Sequence, residues 1–376
     1  MDLDLSEDQK MLRTMARDFL EKECPKQHVR DMENDEKGYS PELWSKMVDL
    51  GLQGLPFPAK YGGGDGSSLD LVVLLEETGR ACLPGPFLSS VVLGGLTILA
   101  AGSEEQRSQL LPALAQGKIF TLAFNEPDGS YDPASVRTEA RLDGDQYSIS
   151  GTKVFVPDAH VADYILCVAR TRPGASGSDG LSLFVVDPAT EGIGITVLNT
   201  IARDKQCEVV FDNARVPVDR LLGEPHQAWP VVEQTLQRAA VAKCAEMVGA
   251  AEQVLEMSVA YAKERVQFGV PIGSFQAIQH HCANMRIDID GMRYLTYEAA
   301  WKISEGLPAA TEVSMAKTWV SDAISRVTRL GHQIHGGVGY MMDHDMQLYF
   351  RRGEAARALF GDSSLHRELI ATQLGL

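Results

Sequence analysis

The chain has 376 residues, a formal net charge of −16 and a pI near 5.0, and 44% of its residues are apolar. At roughly 150 residues per domain, that length calls for two or three packed units rather than one core. The acidic balance argues against a nucleic-acid partner, because holding a phosphate backbone needs a basic face.

The first residues, MDLDLSEDQK, are acidic and polar, and no apolar run approaches the roughly 18 residues of a membrane span. A cytoplasmic protein with no membrane span is expected. Six scattered cysteines (Cys24, Cys82, Cys167, Cys207, Cys244, Cys282) with no CxxC pair read as reduced, mostly buried thiols. His280 and His281 are adjacent and would point apart on a helix, so no metal site is expected.

The first third reads as helices. Ser6 with Gln9 makes a capping box before Leu12, Met15, Phe19 and Leu20 at helical spacing. Ser40 and Pro41 open a second helix, which Gly51 ends. A glycine-rich loop (Tyr61 to Ser68) precedes an apolar helix from about Leu69 to Cys82, stopped by Leu83-Pro84-Gly85-Pro86, and Ser103 with Gln106 caps a short helix ending near Gly117. This gives a helical N-terminal domain, residues 1–117.

From residue 118 to 222 the pattern changes to short β-rich runs: Ser135 to Leu142, Tyr147 to Val156, Leu181 to Val186, Ile193 to Leu198 and Glu208 to Phe211. Asp143-Gly144 and Pro173-Gly174 supply turns, and no G-x-G-x-x-G follows a strand, which disfavours a nicotinamide Rossmann fold. Residues 223–376 return to helix, with Val241, Cys244, Val248, Ala251, Leu255 and Val259 along one face and Ile278, Cys282, Met285 and Ile289 along another. Long helices of this kind pack as a bundle. Near the end, Gln333, Gly336, Gly337 and Gly339 fall on a turn between helices. Backbone N–H groups there can approach a diphosphate, and a following helix N-terminus would favour its charge, although the spacing alone also suits a plain linker.

Two segments in the last third carry a resemblance. Arg265-Val266-Gln267-Phe268-Gly269-Val270-Pro271-Ile272-Gly273-Ser274-Phe275-Gln276 resembles the R-x-x-F-G-x-x-I-x-x-x-Q signature of acyl-CoA dehydrogenases, and Gln333 to Gly339 resembles that family's Q-x-x-G-G-x-G turn. Phe211 to Pro217 with Leu222-Gly223-Glu224 is similar to the end of its β-domain. The resemblance spans the chain and implies an α+β fold: a helical N-terminal domain, a middle β-barrel or sandwich and a C-terminal four-helix bundle. It also implies an acyl-CoA thioester substrate, FAD, and electron-transferring flavoprotein as acceptor. In that family two subunits share each flavin, so Arg265, Gln267, Phe268, Gln276, Gln333, Gly336 and Gly337 are implied to reach FAD lying mainly on a neighbour.

The same resemblance exposes what is missing. The reaction needs a carboxylate beside the substrate α-carbon, yet the family's two base positions fall on Phe360 and Ala239. The T-E-P-G-A-G-S-D loop becomes Asn125 to Asp132 with Tyr131 in place of a small hydroxyl. The W-[IV]-[ST] segment becomes Phe155-Val156-Pro157, and Asp362 replaces a threonine expected to face the cofactor. The neighbour-facing half is kept and the chain's own half is altered. That pattern implies the incomplete subunit of an α2β2 heterotetramer, which serves a homologous catalytic subunit. The alternatives are a homotetramer using Asp362, Glu246 or Asp128 as base, and a non-enzymatic CoA-ester-binding or DNA-associated relative, the latter disfavoured by the acidic balance.

Overall fold

The computed structural model describes residues 4–376. Several of its helices begin where side chains can satisfy free N–H groups. Ser6, Ser67 and Ser103 form capping boxes with Gln9, Asp70 and Gln106 at the starts of α1 (Glu7–Glu23), a helix Ser68–Ala81 and a helix Glu104–Ala115. Between them lie α2 (Lys26–Asn34) and α3 (Pro41–Asp49), the latter capped by Ser40 with proline in its first turn. Ser68–Ala81 is then α4, a π-helical stretch Leu88–Gly95 leads into α5 (Leu96–Ala101), and Glu104–Ala115 is α6.

The strands are β1 (Phe120–Ala123), β2 (Glu139–Asp143), β3 (Gln146–Pro157), β4 (Tyr164–Arg170), β5 (Leu181–Val186), β6 (Ile193–Leu198), β7 (Gln206–Pro217) and β8 (Leu221–Leu222). They form one sheet in the order β6-β7-β3-β2-β4-β5-β8, with β1 parallel to β4. After α7 (Trp229–Glu264) comes a small hairpin of β9 (Val266–Gln267) and β10 (Val270–Pro271). Helices α8 (Gln276–Ser304), α9 (Ala310–His335), α10 (Met346–Ala356) and α11 (Ser363–Gln373) complete the chain.

Three local expectations need correction. The run expected from Ser135 becomes strand only at Glu139, because Asp132 caps a 3-10 turn over Pro133–Ser135. Strands β1 and β4, buried along nearly their whole length, lack the polar alternation that would have marked them. The glycine turn is not followed directly by an α-helix: Gln333 lies in the last turn of α9, Gly336 to Tyr340 is 3-10, and α10 starts only at Met346.

Contacts divide the chain into two compact units. The second, Met32–Gly66 with Pro84–Ala239, holds the sheet and α3, α5 and α6. The first combines the chain up to Asp31, Ser67–Leu83 and Ala240–Leu376. At its centre is α4, whose residues Leu71 to Gly79 are all buried. Glycines let α4 and α7 touch backbone to backbone: a Cβ on Gly79 would lie 1.8 Å from the Glu246 carbonyl oxygen, and one on Gly249 would lie 1.7 Å from that of Glu76. Beside this crossing the buried Glu76 carboxylate accepts from Arg293 (2.8 and 3.0 Å) and from the Tyr297 hydroxyl, while Arg293 also reaches Glu252 at 3.0 Å. Burial works to lower the Arg293 pKa, but the two carboxylates hold it above the ordinary value, so the charge stays on.

Gly249→Ala should therefore force α4 and α7 apart, at the overpacking cost of about 1–3 kcal/mol or more. A clearly lower denaturation midpoint is the expected reading, and an unchanged midpoint would contradict the contact.

Candidate cofactor site

In the second unit, the loop between β1 and β2 is fixed from beneath. Lys153, fully buried on β3, donates to Glu126 (2.8 Å) and to the Phe124 carbonyl (3.1 Å), and the Glu126 carboxylate accepts from the N–H groups of Arg137 and Thr138. Burial would raise the Glu126 pKa, but Lys153 and these N–H groups hold it below the usual value. Above this pair Tyr131 stacks on Phe124 at 6.3 Å. Phe155 sits in the register shift between β3 and β7, at φ +52° and 51% exposed, and Pro157 ends the strand with its carbonyl accepting from Thr121. Ala239 is fully buried, and burial depresses the pKa of the neighbouring Arg238.

The first unit holds the two signature segments. Residues 265–276 leave α7 as an arm in which Arg265, Gln267, Phe268 and Gln276 are all exposed, Phe268 to 94% with φ +54°. Arg265 makes no ion pair with any described residue. Gln333 is exposed on α9, while Gly336, at φ +62°, and Gly337 have nothing within 4 Å of where a Cβ would stand. The segments are brought to one end of the unit by Tyr261, which stacks on His335 at 4.6 Å: Arg265 follows Tyr261 by one helical turn, and Gly336 follows His335 directly.

At Phe360, which the resemblance implied as a base position, the backbone is held firmly. Phe360 has φ +59°, an unusual conformation for a bulky residue, and Gly361 follows at φ +93°. The His366 Nε2–H donates to the Phe360 carbonyl at 2.9 Å, which leaves Nδ1 to accept from Ser314 at 3.2 Å. Lys317 donates to the Gly361 carbonyl at 2.7 Å, to those of Arg357 and Ala356, and lies 3.1 Å from Ser321. Burial pushes Lys317 down to about 8. Nothing in the sequence singled out Lys317 or His366.

The candidate replacement bases are otherwise engaged. Asp362 does not lie free to face a phosphate: its carboxylate caps α11 by accepting from Leu365 N–H at 2.8 Å. Glu246 pairs with Lys243 at 2.5 Å, and Asp128 is exposed, accepting from Ser130 N–H. Among the described residues no cluster of three or more histidine, cysteine or acidic groups could hold a metal, and no helix is long and apolar enough to cross a membrane.

Family models for the acyl-CoA dehydrogenase N-terminal, middle and C-terminal domains match residues 6–118, 121–214 and 226–375. The chain belongs to the acyl-CoA dehydrogenase family. It is 34% identical to the probable acyl-CoA dehydrogenase YngJ of Bacillus subtilis, over 100% of both chains. Among solved structures, it resembles butyryl-CoA dehydrogenase from Megasphaera elsdenii with a TM-score of 0.93 at 29% identity, covering 100% of each chain. It resembles a chain of the ChsE4-ChsE5 complex from Mycobacterium tuberculosis with a TM-score of 0.91 at 28% identity, covering 100% of this chain and 99% of that one. The α+β, three-domain family architecture follows, and with it membership of a group of oxidoreductases that use FAD to dehydrogenate acyl-CoA thioesters.

Lys317→Met should leave three carbonyl acceptors without a donor, at about 1–3 kcal/mol for each group that stays buried. The expected result is a lower unfolding midpoint and faster amide exchange around residues 357–366; wild-type exchange there would contradict the clamp.

Proposed function

We propose that this chain is the incomplete subunit of a heteromeric acyl-CoA dehydrogenase. It lends an arm and a turn to FAD held mainly by a homologous catalytic subunit, and it carries no base of its own. The observation that carries this reading is the contrast between the two halves. The arm and turn expose Arg265, Gln267, Phe268, Gln276 and Gln333, groups that suit a dinucleotide, whereas neither base position bears a carboxylate and the candidate replacements are occupied or lie out in solvent.

FAD supplies the acceptor for the hydride leaving the substrate β-carbon. The chain's own residues bind and orient. Arg265 offers a fork of donors to a diphosphate, Gln267, Gln276 and Gln333 offer amides to polar edges, and the bare backbone at Gly336 and Gly337 allows close approach. Phe268, exposed almost completely in the lone chain, has an apolar ring to bury against a partner. The residues of the second unit suit FAD poorly: Tyr131 replaces a small hydroxyl, and Pro157 has no N–H to donate. The ChsE4-ChsE5 complex, with two named components, is the neighbour that supports a paired assembly. An acyl-CoA thioester as substrate, electron-transferring flavoprotein as the onward acceptor, a cytoplasmic location and domain boundaries at 117/118 and 222/223 belong to the same reading.

Expressed alone, the chain should purify without flavin and reduce no dye in the presence of acyl-CoA thioesters. A yellow, active protein would overturn the proposal. In the complex co-purified with a homologous dehydrogenase, Arg265→Ala should lower flavin content by about tenfold or more, matching a lost charge-assisted pair of about 1.5–3 kcal/mol. Retention of wild-type flavin would contradict the role given to the arm.

A further inference from the structure

The segment that carries the glycine turn hangs from three imidazoles. His332 is only 2% exposed, stacks on Tyr340 at 4.7 Å and meets Phe350 edge-on at 5.1 Å, and neither of its ring nitrogens has a hydrogen-bond partner. His335 is also buried. Its Nδ1–H donates to the Gly331 carbonyl at 2.8 Å, one ring face lies on Tyr261, and its edge contact with His344 spans 5.1 Å. His344 Nδ1 accepts from the N–H of Met346, the first residue of α10, at 3.2 Å. Gly339 packs against the first two rings: a Cβ there would lie 3.0 Å from the His335 Cβ and 3.3 Å from the His332 Nδ1. From α2, Arg30 donates to the Asp343 carbonyl and pairs with Asp345 at 2.5 Å, which anchors the far end of the segment.

The buried rings favour the neutral state, although the His335 Nδ1–H bond to the Gly331 carbonyl is kept in either state. An imidazolium has N–H groups on both nitrogens, and both must find an acceptor when the ring is buried. A protonated His332 would bury a charge with only the Gly339 backbone beside it, and a charge on His335 would lie close to it. Of the two carboxylates beside His344 in sequence, Asp345 is paired with Arg30 and Asp343 is exposed to solvent. We propose that residues 336–345 form a pH-released latch, held closed while the buried His332 and His335 are neutral and freed, together with the glycine turn, on acidification.

The direction follows from proton linkage. Burial holds His332 and His335 below the ordinary imidazole value of about 6.5, and nearby histidines push the same way. Below that value the open segment binds more protons than the closed one, so the closed form loses stability as pH falls, by about tenfold in its equilibrium per pH unit for each proton taken up. The latch itself stands on these contacts alone; its bearing on flavin rests on the function proposed above.

Amide exchange on the full-length chain, without partner or flavin, tests the latch directly. Between about pH 7.5 and about pH 5.5, protection of residues 336–346, corrected for intrinsic exchange, should fall by about tenfold or more while the middle of α8 holds steady. The variant His332→Phe keeps an aromatic face and removes one of the two titrating rings, so its fall should be clearly smaller. PH-independent protection in the wild type, or an unchanged fall in the variant, would overturn the latch. Histidine ring titration by NMR gives a second measure that needs no variant: His332 already charged at neutral pH would also overturn it. If the lone chain shows the latch but the co-purified complex keeps its flavin at the acidic pH, the fault lies with the cofactor role of the turn.

Discussion

The contact on which the first unit depends is a meeting of two main chains. Without side chains at Gly79 and Gly249, α4 and α7 approach until carbonyl oxygens occupy the space where a Cβ would stand. That closeness leaves the Glu76 carboxylate buried next to α8, where it is tolerable only because Arg293 and Tyr297 donate to it. Once α7 is fixed at Gly249, its continuation delivers Tyr261 to His335 about 18 Å further along the helix. The exposed arm and the glycine turn thus come together through a helix crossing that neither of them touches.

The same unit holds an unusual backbone firmly at residue 360. Phe360 sits in a backbone conformation that costs a bulky side chain about 1 kcal/mol, and a buried lysine and a buried histidine hold the two carbonyls that define it. Such strain persists only where the surroundings over-determine it. A phenylalanine ring, however placed, accepts no proton. Family membership gives the fold and the class of reaction, while the supporting part proposed for this chain rests on the residues at positions 239 and 360.

Much of this was legible in the sequence because it is local. Ser6 with Gln9 and Ser103 with Gln106 marked helix starts through hydrogen bonds spanning three residues, and Asp143-Gly144 marked the β2–β3 turn. Strands β1 and β4 were hidden because a strand buried on both faces shows no alternation, and the π-helical Leu88–Gly95 has no sequence period of its own. The Glu76–Arg293 pair and the Lys317 clamp join residues far apart in sequence, so no spacing rule reaches them. His332 and His335 did stand three apart beside Gln333, a helical spacing that puts them on one face; what they pack against became visible only in three dimensions.

The most direct test is the flavin content of the complex formed when this chain is co-expressed and co-purified with a homologous dehydrogenase that retains its glutamate. An incomplete subunit predicts half as many FAD as polypeptides, with this chain present in equal number to its partner. One FAD per polypeptide, or a stable assembly of this chain alone with flavin bound, would contradict it.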